Sequence, residues 1–338
     1  MRAAVLRDGR MVYRDDIADP VPGPGQVLVG VKACGICGSD LHFAKHSAEA
    51  LSLTAELEGM PISGHSVDLS ADIFMGHEFS AEVLEAGPDA EAPPPGTLIT
   101  SIPVLLSAKG VHPIVYSNTV MGAYAERMLL SAPLLLKIPN GLDARHAALT
   151  EPMAVGLHAV NKSNIERNET ALVLGCGPIG IAIIAALRNR GVETIVAADF
   201  SPKRRELAER TGAQRTVDPA AESPFDATKP AVVFEAVGVP GILDDALRRT
   251  PAGSRIVVAG VCMESDTVHP FFGIAKEVNI QFVVGYDPTE FAESLRAIAE
   301  GEIDVSPLIT GEVGLDGVGA AFDALADPGE HCKIVVTP

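Results

Sequence analysis

The sequence predicts an α/β chain of two domains, one a doubly wound parallel sheet and the other β-rich. Three observations carry this. At 338 residues the chain exceeds what one hydrophobic core usually serves. From residue 171 onward, short apolar runs alternate with helical stretches. Before about residue 146, strand-like alternation is broken by proline and glycine.

The elements follow in chain order. Residues 27–33 (Val-Leu-Val-Gly-Val-Lys-Ala) alternate as a half-buried strand should, after turn chemistry at 19–25. A second breaker, Ala92-Pro93-Pro94-Pro95-Gly96, separates two more strand-like runs. Pro139-Asn140-Gly141 closes this region ahead of a helical stretch at 151–162. A short buried strand is expected at 171–174, an apolar helix at 178–190, a strand at 194–198 and a charged helix at 201–210. Further strands are expected at 231–235, 255–259 and 279–284. The tail returns to mixed structure, with a strand at 333–336 expected to pack back onto the first domain.

Composition narrows the function classes. Apolar residues make up 47%, which argues against disorder. No apolar run reaches the roughly 18 residues of a membrane span, and the first residues hold too short an apolar core for a signal peptide. A soluble, cytoplasmic protein with no membrane partner is expected. The net charge of −18 repels phosphate backbones, so no nucleic-acid partner is expected either. The five cysteines include only one closely spaced pair, which points to metal or redox chemistry before disulfides.

Two short motifs offer that chemistry. One is Cys34-Gly35-Ile36-Cys37-Gly38-Ser39-Asp40-Leu41-His42, the other Gly76-His77-Glu78. Together they supply thiolate, imidazole and carboxylates, the donors zinc prefers. A ribbon-type structural zinc site would need a second Cys-x-x-Cys, and none is present. His65 competes with His77, but Glu78 and a strand-like run follow His77.

A third motif, Gly175-Cys176-Gly177-Pro178-Ile179-Gly180, follows an expected strand and opens an expected helix. That context is what a dinucleotide site requires. Gly175 would make the tight turn, Gly177 would admit the pyrophosphate, and Gly180 would let helix and strand approach. The helix start at Pro178, Ile179 and Gly180 would offer N–H groups to the diphosphate. Asp199, 19 residues beyond Gly180, stands where a carboxylate would hold the adenosine ribose hydroxyls. This favours NAD. Lys203, Arg204 and Arg205 follow and could instead clamp a 2′-phosphate, which keeps NADP as the alternative; Arg204 is the candidate for cofactor contact. A metal site and a nicotinamide site on one chain point to metal-assisted hydride transfer.

As a set, these motifs resemble the zinc-dependent medium-chain dehydrogenase/reductase superfamily, in order and over essentially the whole chain. Glu151-Pro152 with Val155-Gly156 and His158 resembles its polyol and threonine dehydrogenase branch, where glutamate replaces a cysteine ligand. The resemblance implies a GroES-like catalytic domain over 1–148 and 286–338, and a Rossmann domain over 149–285. It implies Cys37 and His77 as zinc ligands, with Glu78 and Glu151 as the remaining carboxylates, direct or through water, and Asp40 behind them. Ser39 and His42 would carry the substrate proton outward. The substrate would be a small alcohol or ketone. The assembly would be a homodimer or homotetramer pairing through a strand near 278–284.

The chain also departs from the family. Residues 92–121 hold no cysteine, so one catalytic zinc and no structural zinc is expected. His42 and His77 are 35 residues apart, and the extra, partly apolar segment at 45–74 is expected to overhang the substrate. Phe43 stands where polyol enzymes often carry tyrosine, which favours a less polar secondary alcohol over a polyol. Cys34 is expected to be a packed thiol, Cys176, Cys262 and Cys332 structural, and His158 a packed helix residue. Two other readings are a zinc-free enone or quinone reductase and a non-catalytic cofactor sensor. The retained Cys37, His77 and Glu151 oppose the first, and Ser39 with His42 opposes the second.

Overall fold

The computed structural model describes residues 1–57, 67–327 and 329–338. His65, and Met60 and Ile62 of the expected overhanging segment, lie outside the described residues. The chain divides into two compact units.

The first unit comprises Met1–Glu151, Ile309–Asp327 and Lys333–Pro338. Its main sheet runs in the order Leu135–Lys137, Leu98–Ser101, Glu78–Ala86, Gln26–Gly35, Lys333–Val336, Ile309–Val313, and Arg127–Ser131 also pairs with Gln26–Gly35. The alternation read at 27–33 is thus the middle of a ten-residue strand. Its Val27, Val29 and Val31 pack with Phe79, Ala81, Val83 and Ile99 into one core. Register does more than bury these side chains. Gly35 stands opposite Glu78 on one side and Val335 on the other, so the Gly-His-Glu motif and the last strand flank the start of the cysteine motif.

Directly after that strand, the helix Gly38–Ala55 begins with Cys37 as its N-cap. The Asp40 carboxylate accepts from the Cys37 N–H at 3.2 Å, which fixes the helix start. Residues 45–55, read from sequence as the start of a long insertion, continue this helix past a break at His46. Leu51 packs toward the core, whereas Leu53 and Leu57 are exposed.

The second unit comprises Pro152–Leu308 and Pro328–Cys332. The chain re-enters the first unit at Ile309, where the sequence analysis placed the return at 286; the helix Pro288–Ala299 packs with the second unit. Six parallel strands lie in the order Arg215–Val217, Thr194–Ala198, Thr170–Leu174, Val232–Glu235, Arg255–Val258, Asn279–Phe282. In chain order this is third, second, first, fourth, fifth, sixth, the doubly wound order whose direction reverses beside the first strand. Five of these strands were expected. The three-residue strand Arg215–Val217 was not, because it is too short to show a period. The helix Pro178–Arg190 buries every residue from Gly180 to Leu187, as its uniformly apolar sequence requires.

Candidate metal centre and dinucleotide site

The ligand atoms of Cys37, His77 and Glu78 all lie within 4.8 Å of one another. Cys37 comes from the helix cap, His77 from the residue just before the neighbouring strand and Glu78 from its first position. Gly76 precedes them with φ +98°, and a Cβ there would stand 2.8 Å from the Tyr124 nitrogen. The turn that aims His77 inward therefore requires glycine.

Asp40 supports the histidine. It is fully buried, and its Oδ2 accepts from the Tyr124 hydroxyl at 2.6 Å and from Cys37 N–H. Its Oδ1 faces His77 Nδ1 at 3.5 Å. Among the described residues neither of these two buried atoms has a hydrogen-bond partner. A carboxylate behind one imidazole nitrogen orients the other toward a metal. Burial by itself would lower the His77 pKa, but Asp40, Cys37 and Glu151 together hold it well above the ordinary value. Two buried carboxylates, Asp40 and Glu78, thus lie close to the histidine. Sulfur, imidazole and carboxylate donors around orphaned buried atoms fit a zinc ion. Glu151, in the first turn of Thr150–Ser163, stands outside the tight triad and acts on His77 through its charge.

Glu78 has a second partner that sequence reasoning missed. Lys333 Nζ donates to both Glu78 oxygens, at 2.8 and 2.7 Å, and to the Ile36 carbonyl at 3.0 Å. Both side chains are essentially fully buried. A Cβ on Gly35 would lie 2.2 Å from Glu78 Oε2, so the glycine makes the room the carboxylate occupies. The signal was a single lysine opening an otherwise apolar strand, but its partner lies 255 residues away.

Ser39 is half-buried in the first turn of the Gly38–Ala55 helix, and His42 lies exposed three residues on, along the same side. Cys34 is fully buried, and burial pushes its thiol pKa well up, as expected of a packed thiol. Phe43 is also buried, stacked on Tyr116. Cys176 and Cys332 are buried, whereas Cys262 is exposed, its sulfur on the Glu264 carbonyl.

In the second unit, Gly175 has φ +89°, and a Cβ on it would meet the Ala236 carbonyl at 2.9 Å. A Cβ on Gly180 would lie 1.9 Å from the Gly175 carbonyl oxygen. Gly177 is different: among the described residues only Arg204, at 3.9 Å, comes within 4 Å of a Cβ built there, which leaves room for a ligand. It caps Pro178–Arg190 without a side-chain hydrogen bond. The first-turn N–H groups of Ile179 and Gly180 have no intrahelical acceptors, as at any helix start, and such groups suit an anion. Asp199 closes the second strand, its Oδ2 accepting from Cys176 N–H at 2.9 Å and its Oδ1 from Ser201 N–H at 2.8 Å. Arg204 Nη1 lies 3.9 Å from Asp199, and its buried Nε has no hydrogen-bond partner among the described residues.

His158 also sits in a cluster, with Asp287 and Glu290. There Glu290 accepts from Asn161 at 2.6 Å and from Asp287 N–H at 2.8 Å, and pairs with His158 Nδ1 at 2.7 Å. These groups satisfy one another and join the start of the Pro288–Ala299 helix to Thr150–Ser163, the packed role expected of His158.

Replacing Lys333 with Met leaves Glu78 a buried unpaired charge, an expected cost of about 3–5 kcal/mol. Denaturant unfolding should show this as a lowered midpoint, and Glu78→Leu added to Lys333→Met should recover most of it. A single variant as stable as the parent would refute the pair's structural role.

Both units resemble known proteins. Residues 23–140 match the alcohol dehydrogenase GroES-like domain, and residues 178–300 match the zinc-binding dehydrogenase domain. The chain is 31% identical to (R,R)-butanediol dehydrogenase of Bacillus subtilis (strain 168), covering 100% of both chains. It is 25% identical to sorbitol dehydrogenase of the same organism, covering 100% of this chain and 97% of that one. The crystal structure of 2R,3R-butanediol dehydrogenase from Bacillus subtilis superposes with a TM-score of 0.84 at 30% identity, covering 100% of this chain and 99% of that one. A Sinorhizobium meliloti 1021 protein assigned as a zinc-binding dehydrogenase and solved with NADP also superposes with a TM-score of 0.84, at 28% identity, covering 100% and 99%. With a GroES-like unit carrying the metal cluster and a Rossmann-type unit carrying the glycine turn, the chain belongs to the zinc-dependent medium-chain dehydrogenase/reductase superfamily.

Proposed function

We propose that this chain interconverts a small secondary alcohol and its ketone, using one zinc ion per subunit and NAD. The observation that carries this is the convergence of Cys37, His77 and Glu78, with Asp40 behind the imidazole. Cys37 and His77 are the firm ligands. Glu151 or Glu78 adds a carboxylate, directly or through water; Lys333 already holds both Glu78 oxygens. The absence of cysteine from residues 92–121 supports a single, catalytic zinc. A polyol is the second reading, favoured by the similarity to a sorbitol dehydrogenase.

When bound, the metal supplies Lewis acidity at the substrate oxygen and the nicotinamide exchanges the hydride. The chain's own residues do the rest. Asp40 fixes the His77 ring through Nδ1. Ser39 Oγ takes the proton released by the alcohol, and His42 passes it outward. Partial burial, with His46 and Lys45 adding to it, lowers the His42 pKa, so at neutral pH the ring is uncharged and ready to accept. Purified protein should carry about one zinc per chain on this ligand count. Cys37→Ala and His77→Ala should each lose zinc and turnover while still binding NADH. His42→Gln should slow turnover while keeping zinc. Two zinc ions or none in the parent, or full activity in the ligand variants, would sink the assignment.

NAD is the proposed cofactor because Asp199 would meet a 2′-phosphate with negative charge. Arg204, close to Asp199 and Gly177 with an unsatisfied Nε, supports NADP as the second reading. Asp199→Ala should erode a preference for NAD in kcat/KM; an unchanged NAD-to-NADP ratio would remove Asp199 from the cofactor site.

The strand Asn279–Phe282 ends the parallel sheet and is exposed throughout, with Phe282 at 65% and the following Val284 at 82%. Exposed apolar edges invite pairing. A homodimer or homotetramer through this edge is the proposed assembly. Phe282→Asp should lower the sedimentation-derived mass; a parent that is already monomeric would overturn the proposal.

A further inference from the structure

Phe43 stands where the sequence suggested a substrate-facing group, yet its ring is buried. It lies face to face with Tyr116, with centroids 3.8 Å apart and planes 6° apart. Tyr116 arrives from a distant stretch of the first unit, just before the bridge between Phe74 and Ser117. Its ring is only partly buried, and its hydroxyl donates to the Ser39 carbonyl at 3.0 Å. Ser39 lies between the ligand Cys37 and the supporting Asp40. A phenol that chain topology brings here thus stands in for one the sequence lacks at position 43.

The hydrogen bond fixes what this phenol can do. A backbone carbonyl only accepts, so the single phenolic proton is committed to Ser39. What Oη still offers is a lone pair. Burial, then the nearby Asp40 carboxylate, raises the phenol pKa, and Cys37 adds to this, so the group stays neutral. No other hydrogen bond to Tyr116 Oη is found among the described residues. The result is a fixed, neutral acceptor beside the metal cluster.

We propose that Tyr116 is a specificity-determining residue whose Oη accepts a hydrogen bond from a hydroxyl on the carbon next to the reacting one. This rests on the reading of Cys37 and His77 as the metal centre of an alcohol dehydrogenase. The site then selects by hydrogen-bond direction. A vicinal diol supplies the neighbouring donor, loses a hydride to NAD⁺ and a proton to solvent, and leaves as the α-hydroxyketone. The α-hydroxyketone supplies the same donor on the way back. A monoalcohol has no neighbouring group, and an α-diketone presents a second acceptor where Tyr116 needs a donor.

Tyr116→Phe keeps the ring on Phe43 and removes only the oxygen. The test compares zinc-loaded parent and variant with butane-2,3-diol and butan-2-ol in oxidation, and with 3-hydroxybutan-2-one and butane-2,3-dione in reduction. In the parent, the diol and the hydroxyketone should be favoured. In the variant, the diol-to-monoalcohol ratio of kcat/KM should fall about ten-fold, the scale of one neutral hydrogen bond. The loss should lie mainly in KM for the diol, with zinc content and butan-2-ol turnover retained. An unchanged ratio would overturn the proposal. Equal loss on both alcohols would also overturn it, and would make Tyr116 a positioning residue for Ser39 alone. A zinc-loaded parent inactive on every alcohol would instead defeat the dehydrogenase reading itself, and this inference with it.

Discussion

The ion pair between Glu78 and Lys333 ties the last strand of the chain to the cluster built in its first quarter. Such a pair is costly to bury unless its hydrogen bonds are complete. Here the ammonium has three donors, and Ile36 and the two Glu78 oxygens take them. Gly35 gives the carboxylate its space, and the register places Gly35 between the two strands concerned. One lysine therefore joins the last strand to Glu78 and neutralises that carboxylate.

The rest of the centre is a set of donors. Cys37, Asp40, Glu78 and Glu151 gather around one imidazole, and Lys333 neutralises Glu78. The orphaned Asp40 Oδ1 and His77 Nδ1 lie among them. Sulfur, imidazole and carboxylate donors of this kind fit a zinc ion. The dinucleotide turn shows the opposite arrangement, with helix N–H groups left open for an anion.

Legibility followed the range of the interactions. The strands at 170–174, 194–198, 232–235 and 255–258 and the helix at 178–190 could be read because apolar runs of that length carry their own pattern. The glycine turn could be read because each glycine answers a local need: positive φ at Gly175, close approach at Gly180. The three-residue strand Arg215–Val217 and the helical start of the 45–74 segment could not be read. The first is too short to show a period, and the second has only a weak apolar face. Lys333 and Tyr116 were missed for another reason, since their roles lie in partners 255 and 77 residues away.

By itself, then, the sequence determined the chemistry on offer: thiolate, imidazole and carboxylates at set spacings, a proton-bearing serine and histidine, and a glycine turn backed by an acid. Those properties belong to residue types and neighbours along the chain. Only the tertiary structure decided which carboxylate is already taken, which ring faces inward, and which distant phenol stands over Ser39. These are outcomes of strand register and packing, where residues far apart in sequence become neighbours.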